Sequence, residues 1–284
     1  VRDNRIHAVF MVHGTSTGRL SSRNPNMQNI SNDVEGAESL RRCYIATPGK
    51  VMVGADYSQA ELRVMAELSG DPQMIADLSS DVDFFDNMMP DVFGPDIMKL
   101  DKAGRKPYRL RLKRIVYGLS YNRKAGAIAE QLTIEDGTPT TRTEAQAIID
   151  GYLGRYPVFA AWRLSIMPQV LNGELRTVFG RRYQQDVVTN SNYVPVENSA
   201  LAFPPQSTAS DLCLLAAIRL HKELPDGAHM VNLVHDALYT ECWPEQAEYV
   251  KDLTQRLMEE SAREYFSRVT FSTEGKIGLT WDSV

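Results

Sequence analysis

The 284-residue chain has little cysteine: Cys43, Cys213 and Cys242 are all it holds. They form no CxxC pair, and the five histidines never fall into a metal-ligand spacing with them, which excludes a zinc module and a disulfide scaffold. Reduced thiols in a cytosol-like compartment are expected. Long apolar runs are missing too, since Val51 to Val53 or His229 to Val234 fall far short of the ~18 residues a membrane span needs. No charged stretch followed by an apolar segment and a small-residue cleavage site opens the chain, so no secretory signal is read. The first residue is Val1, as in a trimmed product or at a boundary within a longer polypeptide. Positive charge is not in excess, with 31 Lys and Arg against 36 Asp and Glu and a net charge of −5. That excludes a protein that coats polyanions by bulk charge. With 43% hydrophobic and 24% charged residues, the composition is that of a soluble globular protein with a sizeable core, neither disordered nor collagen-like.

The charge that is present is unevenly placed. From Asp71 to Met98 there are seven acids and no Lys or Arg, whereas Lys99 to Lys124 carries ten basic residues against the single acid Asp101. A positive strip on an otherwise acidic molecule suits a local anionic ligand such as phosphate. A solvated basic helix face gives the same pattern.

Breakers and periodicity outline the elements. Pro48-Gly49 is a turn, Lys50 to Asp56 reads as a buried strand, and Gln59 to Leu68 has helical apolar spacing ended by Gly70-Asp71-Pro72. Pro107 suits the first turn of a helix whose body runs from Tyr108 to about Leu132. Asp211 to Leu224 is another helix, Met230 to Val234 and Leu238 to Cys242 are strands about a hairpin tip at His235-Asp236-Ala237, and Glu245 to Phe266 is a long amphipathic helix.

Two carboxylates stand out against this outline. Asp56 ends a buried strand and Asp236 sits at a hairpin tip, positions from which side chains emerge from a sheet edge. Singly, each is an ordinary turn or cap residue. As a pair within about 4 Å they would repel unless cations bridged them, as in two-metal phosphoryl-transfer sites. In the basic strip Arg109, Lys113, Tyr117 and Tyr121 recur every four residues, drifting about 40° and rising about 6 Å per step along one helix face. Phosphates would lie by the cations and a sugar and base by the tyrosines. An amphipathic helix with half-buried tyrosines is the plain alternative.

The residues Asp56-Tyr57-Ser58-Gln59-Ala60-Glu61-Leu62-Arg63 resemble the first signature motif of family A DNA polymerases, the bacterial repair and phage replicative type. Arg109, Lys113, Tyr117-Gly118 and Tyr121 resemble that family's nucleotide-binding helix, and Val234-His235-Asp236 its third motif. Thr17-Gly18-Arg19-Leu20-Ser21-Ser22 with Pro25-Asn26-Met27-Gln28-Asn29-Ile30 is similar to the stretch that grips the primer-template minor groove, and Gln206 to Asp211 adds a weaker fifth match.

The resemblance implies an α+β fold. A palm with an antiparallel sheet and packed helices would bear Asp56 and Asp236, with a helical fingers insertion between them. The palm would span 1–69 and 191–284, and the fingers 70–190. The implied activity is template-dependent DNA synthesis on a primer from deoxynucleoside triphosphates, with release of pyrophosphate. Asp56, Asp236 and the Tyr57 carbonyl would hold two Mg²⁺, with Mn²⁺ as a substitute. Arg109 and Lys113 would hold the triphosphate, and Lys113 would protonate the departing pyrophosphate. Gln59 would also contact the nucleotide, while Glu61 would crowd the ribose 2′ position. Tyr117 would stack near the sugar and Tyr121 near the templating base. Arg19, Asn26, Gln28, Asn29, Gln206 and His235 would meet the duplex. The implied location is the cytoplasm of a bacterial or phage-infected cell.

Several positions depart from the family's pattern. Ala237 stands where an acid usually follows the third-motif Asp, Phe85 where a His contacts phosphate, and Asn198 and Ala202 where an Arg and an Asn are expected; Asn122 replaces a Gly. The thumb and exonuclease would precede Thr17, where this sequence has sixteen residues. A fragment of a larger polymerase, or a split enzyme whose second polypeptide supplies them, is expected. The departures also motivate a rival reading, a catalytically weak DNA-binding subunit of a replication complex. A two-metal nuclease would share the paired aspartates without needing Lys113 and Tyr117.

Overall fold

The computed structural model describes residues 3–30, 39–137, 139–185 and 187–284. All the site residues named above lie within them. Residues 1, 2 and 31–38 of the first expected palm segment, and 138 and 186 of the expected fingers, fall outside. The chain divides into two compact units, one of Val1–Leu62 with Pro205–Val284 and the other of Arg63–Pro204. The expected borders lie at the end of the first helix, α1 (Ala60–Ser69), and just before α8 (Tyr193–Glu223), the two helices through which the division runs.

The first unit is built on an antiparallel sheet. A small ribbon pairs β1 (Val9–Met11) with β2 (Ser21–Arg23). The main sheet has the order β4-β5-β3-β6, from β3 (Val51–Tyr57), β4 (His229–Val234), β5 (Ala237–Cys242) and β6 (Thr273–Gly278). Strand β3 is therefore internal, hydrogen-bonded to β5 on one side and β6 on the other. Strand alternation sends Val53 and Tyr57 to one face and Met52, Gly54 and Asp56 to the other. The first face is covered by α9 (Ala247–Arg263), where Val53 packs with Val250 and Ala247 and the buried Tyr57 hydroxyl donates to the Met258 carbonyl at 2.5 Å. On the second face Met52, Tyr239, Ala237, Met27 and Trp281 pack together. Gly54 leaves room there, since a β-carbon would come within 3.1 Å of the Tyr239 ring, tighter than an ordinary contact.

The second unit is helical. Its helices are α2 (Pro72–Ser79), α3 (Phe84–Phe93), α4 (Lys102–Ser120), α5 (Ala125–Asp136), α6 (Arg142–Arg155) and α7 (Pro157–Leu171). Met74, Phe84, Phe85, Met88, Leu112, Ile115, Val116 and Tyr152 are all buried. Asp71 is 0% exposed and joins two helix starts: one oxygen accepts from the Gln73 and Met74 amides and the other from those of Val158 and Phe159, each at 3.0 Å. Asp77 accepts from Arg155 Nε and Nη2 at 2.9 Å each and from the Tyr156 hydroxyl at 2.6 Å.

Several expected bounds need correction. The helix expected over 108–132 is two, because Asn122 takes a left-handed φ of 56° and ends α4. Pro107 lies inside α4 instead of in its first turn. Asp101 starts that helix earlier by accepting from the Gly104 amide at 2.7 Å. The helix expected from Asp211 is the last part of the 31-residue α8, which runs through Pro195, Pro204 and Pro205. The helix expected from Glu245 begins at Ala247, after a 3-10 turn over Pro244–Gln246, and ends at Arg263. Among the described residues no helix is long and apolar enough to cross a membrane.

Candidate active site

Asp56 is the sixth residue of β3, opposite Ala237 of β5 and Glu274 of β6. Val234 pairs with Ala237, so His235 and Asp236 form a two-residue hairpin loop, whose first residue takes the positive φ that such loops need (56°). The Tyr57 amide approaches the Asp236 carbonyl at 3.5 Å, which ties the loop to the end of β3. Register and loop together bring the two carboxylates to one end of the sheet, each close enough to feel the other's charge.

Their surroundings are poor in compensation. Desolvation, then the charges of Asp236 and Glu274, push the Asp56 carboxyl up to about 7, with Lys276 opposing. Burial also raises Asp236, against the pull of Arg19. Neither aspartate forms an ion pair among the described residues, and no three His, Cys, Asp or Glu side chains there converge as a metal-binding group. Two oxygen donors short of positive charge fit a hard divalent cation, which takes few carboxylates and fills its shell with water and phosphate.

Beside them Arg19 Nη2 donates to Glu61 Oε1 at 2.5 Å, and the other Glu61 oxygen and Arg19 Nε are buried without a hydrogen-bond partner among the described residues. Burial raises the Glu61 carboxyl while Arg19 opposes it. His235 is lowered by desolvation and by the positive charges of Arg19 and Arg41. Arg41, which sits over the Trp281 ring at 4.5 Å, was not among the expected residues; nor were Glu274 and Lys276, whose only sequence signal is the alternation of Thr273 to Gly278.

The minor-groove residues divide. Asn26 and Asn29 are exposed and Gln206 is half-buried on α8. Gln28 is buried, its amide donating to the Leu233 carbonyl at 2.7 Å, so it braces β4. Asn26 Oδ1 accepts from the Gln28 amide at 3.0 Å and shapes its own turn. Gln59 takes a positive φ of 55° at the junction of β3 and α1.

In the second unit, Arg109, Lys113 and Tyr117 lie on α4 as expected from their spacing, but Tyr121 is the residue that caps its C-terminus, with φ −96° and ψ 16°. The four-member face therefore ends at Tyr117. Lys113 is exposed and makes no ion pair or hydrogen bond among the described residues. Arg109 is already engaged: Nε and Nη2 meet the two oxygens of Asp83 at 3.0 and 2.6 Å, and its guanidinium stands 5.3 Å from the Phe85 ring centre. That bidentate bond raises the Arg109 pKa, and despite some burial it lowers the Asp83 carboxyl. Phe85 in turn contacts the half-buried Tyr117 ring at 6.4 Å. Asp83, the N-cap of α3, is a residue the sequence reading passed over; an Asp before Phe-Phe-Asp is a helix-start signal that could have found it.

The sequence model of DNA polymerase family A matches residues 1–283. DNA polymerase I of Thermus aquaticus, a thermostable enzyme, is 35% identical over 285 residues, covering 99% of this chain and 33% of its own length. DNA polymerase I of Chloroflexus aurantiacus is 32% identical, covering 100% of this chain and 29% of its own. The chain thus spans about a third of the length of these curated relatives. Among solved structures, the polymerase domain of Pol1 from M. smegmatis, in complex with DNA primer-template and dNTP, superposes with a TM-score of 0.87 at 27% identity, over 100% of this chain and 49% of that one. The expected α+β fold of helices and antiparallel sheet is therefore the fold of a polymerase domain. On the match along nearly its whole length, the chain belongs to DNA polymerase family A.

Proposed function

We propose that this chain carries the nucleotidyl-transfer centre of a DNA-directed DNA polymerase, its first unit serving as palm and its second as fingers. The observation that carries the reading is the pairing of Asp56 and Asp236 at one end of the sheet with no cationic side chain bonded to either among the described residues. Asp56, Asp236 and the Tyr57 carbonyl would hold two Mg²⁺, or Mn²⁺ in their place. Ions bound there would supply activation of the primer 3′-hydroxyl and neutralisation of the triphosphate.

The protein's own residues do the rest by position and charge. Lys113 Nζ, exposed and unpaired among the described residues, binds the triphosphate and gives a proton to the departing pyrophosphate oxygen. Arg109 keeps donors beyond the two that Asp83 takes and offers them to phosphate. Glu61, held by Arg19, stands against the ribose 2′ position. Tyr117 packs near the sugar and Tyr121 near the templating base. Arg19, Asn29, Gln206 and His235 reach minor-groove acceptors, where base pairing and not side-chain readout sets sequence.

Primer extension tests this directly. The chain is assayed alone and together with a co-expressed upstream segment, from the same or a second polypeptide, that would supply a thumb and exonuclease. Wild type should add nucleotides in Mg²⁺ and Asp236→Ala should not. Retardation of primer-template with no addition in Mg²⁺ or Mn²⁺ would replace this reading with a DNA-binding subunit, and degradation of duplex without nucleotides would replace it with a nuclease.

A further inference from the structure

Asn122 follows Tyr121 at the end of α4, and its surroundings are unusual for a turn residue. It is 5% exposed and its φ is 56°. A buried asparagine amide has two donor and two acceptor positions to satisfy. Here all four are used: Nδ2 donates to Glu197 Oε2 at 2.7 Å and to Asn198 Oδ1 at 2.8 Å, while Oδ1 accepts from Lys124 Nζ at 3.0 Å and from Arg163 Nη2 at 3.3 Å. Arg163 also donates through Nη1 to the Leu119 carbonyl at 2.6 Å. The Asn122 amide donates to that same carbonyl at 2.9 Å, and the amides of Tyr121 and Arg123 both meet the Gly118 carbonyl.

The backbone on both sides of Tyr121 is thus held by α7, through Arg163, and by α8, through Glu197 and Asn198. A turn needs only a residue that tolerates a positive φ, which glycine supplies without any of these bonds. The saturated amide therefore does more than permit the turn. It fixes the peptide plane from which the 39% exposed Tyr121 ring projects. The two positions at which this chain departs from the family's pattern on either side of that contact, Asn122 and Asn198, bond to each other.

We infer that Asn122 is a positioning residue that fixes Tyr121 and so sets how tightly and how selectively the incoming nucleotide is held. The inference rests on the polymerase reading above. With Tyr121 fixed beforehand, the ordering cost of the nucleotide pocket is met by the folded protein before the nucleotide arrives. Freeing the turn should weaken nucleotide binding more than turnover at saturation.

The test compares wild type, Asn122→Gly, Asn198→Ala, Asn122→Asp and the double variant Asn122→Asp/Glu197→Gln in single-nucleotide primer extension, with melting temperature measured in parallel. Asn122→Gly keeps the backbone angle and loses the four bonds. It should raise the KM for the correct nucleotide by about tenfold, change kcat by less than about twofold, and lower discrimination against the wrong nucleotide. Asn198→Ala should do the same in milder form, and serves if the glycine variant does not fold. Asn122→Asp sets a carboxylate against Glu197 and should behave like the glycine variant. Adding Glu197→Gln restores a donor facing it and should bring KM and discrimination back towards wild type. A lowered melting temperature with unchanged KM and discrimination in the glycine or alanine variant would overturn the inference, as would failure of the double variant to recover. If wild type itself extends no primer, the polymerase reading falls instead.

Discussion

Two pairs of carboxylates, one in each unit, are treated in opposite ways. In the helical unit Asp71 accepts four backbone amides, and Asp77 meets Arg155 and Tyr156. In the sheet unit Asp56 and Asp236 stand together, and the first of them is displaced far from an ordinary carboxylate. Fully compensated charge is a device for holding a structure together. Charge left short of partners destabilises, and it persists where a ligand is meant to complete it.

The largest difference should come from cutting each side of this contrast in turn. Asp236→Ala is expected to lower primer extension by at least about 10³-fold while the melting temperature holds or rises, since a carboxylate raised by burial is removed. Asp71→Ala should do the reverse in kind. It strands four buried amides and should lower unfolding free energy by about 3 kcal/mol or more, measured in a denaturant titration.

A smaller effect depends on pH. A carboxyl whose folded pKa lies above its unfolded value contributes stability that is full below about pH 4 and is lost as the pH rises through about 7. Asp56→Asn mimics the protonated form. It should match wild type in melting temperature at pH 4 and exceed it by several degrees at pH 8. Mg²⁺ at pH 8 should raise the melting temperature of wild type more than that of Asp56→Asn. Equal curves at both pH values would mean that Asp56 is not strained by its neighbours. The smallest change is expected at the exposed Lys99–Asp96 pair of the helical unit, where Lys99→Ala should shift the melting temperature by less than about a degree.

What could be read from the sequence was local. The strand over 51–57, the hairpin about His235 and Asp236, and the start of α1 follow from apolar runs and turn residues close by, and those elements carry both aspartates. The family motifs gave the site residues their expected roles, but not their bonds. Arg109 finds its partner 26 residues upstream, and nothing local to α4 announces Asp83. The end of α4 was missed because Asn122 stops the helix with the help of residues up to 76 positions away. The early part of α8 was missed because Pro204 and Pro205 lie within it, where tertiary packing overrides their usual effect.

Asp71 also shapes how the helical unit comes apart. Its carboxylate reaches amides up to 88 positions along the chain from it, so neither helix start is satisfied until a long loop has closed. Opening one end leaves the other with half a cap. The amides of Gln73, Met74, Val158 and Phe159 should therefore exchange their hydrogens as one cooperative group, despite belonging to helices with four others between them in sequence.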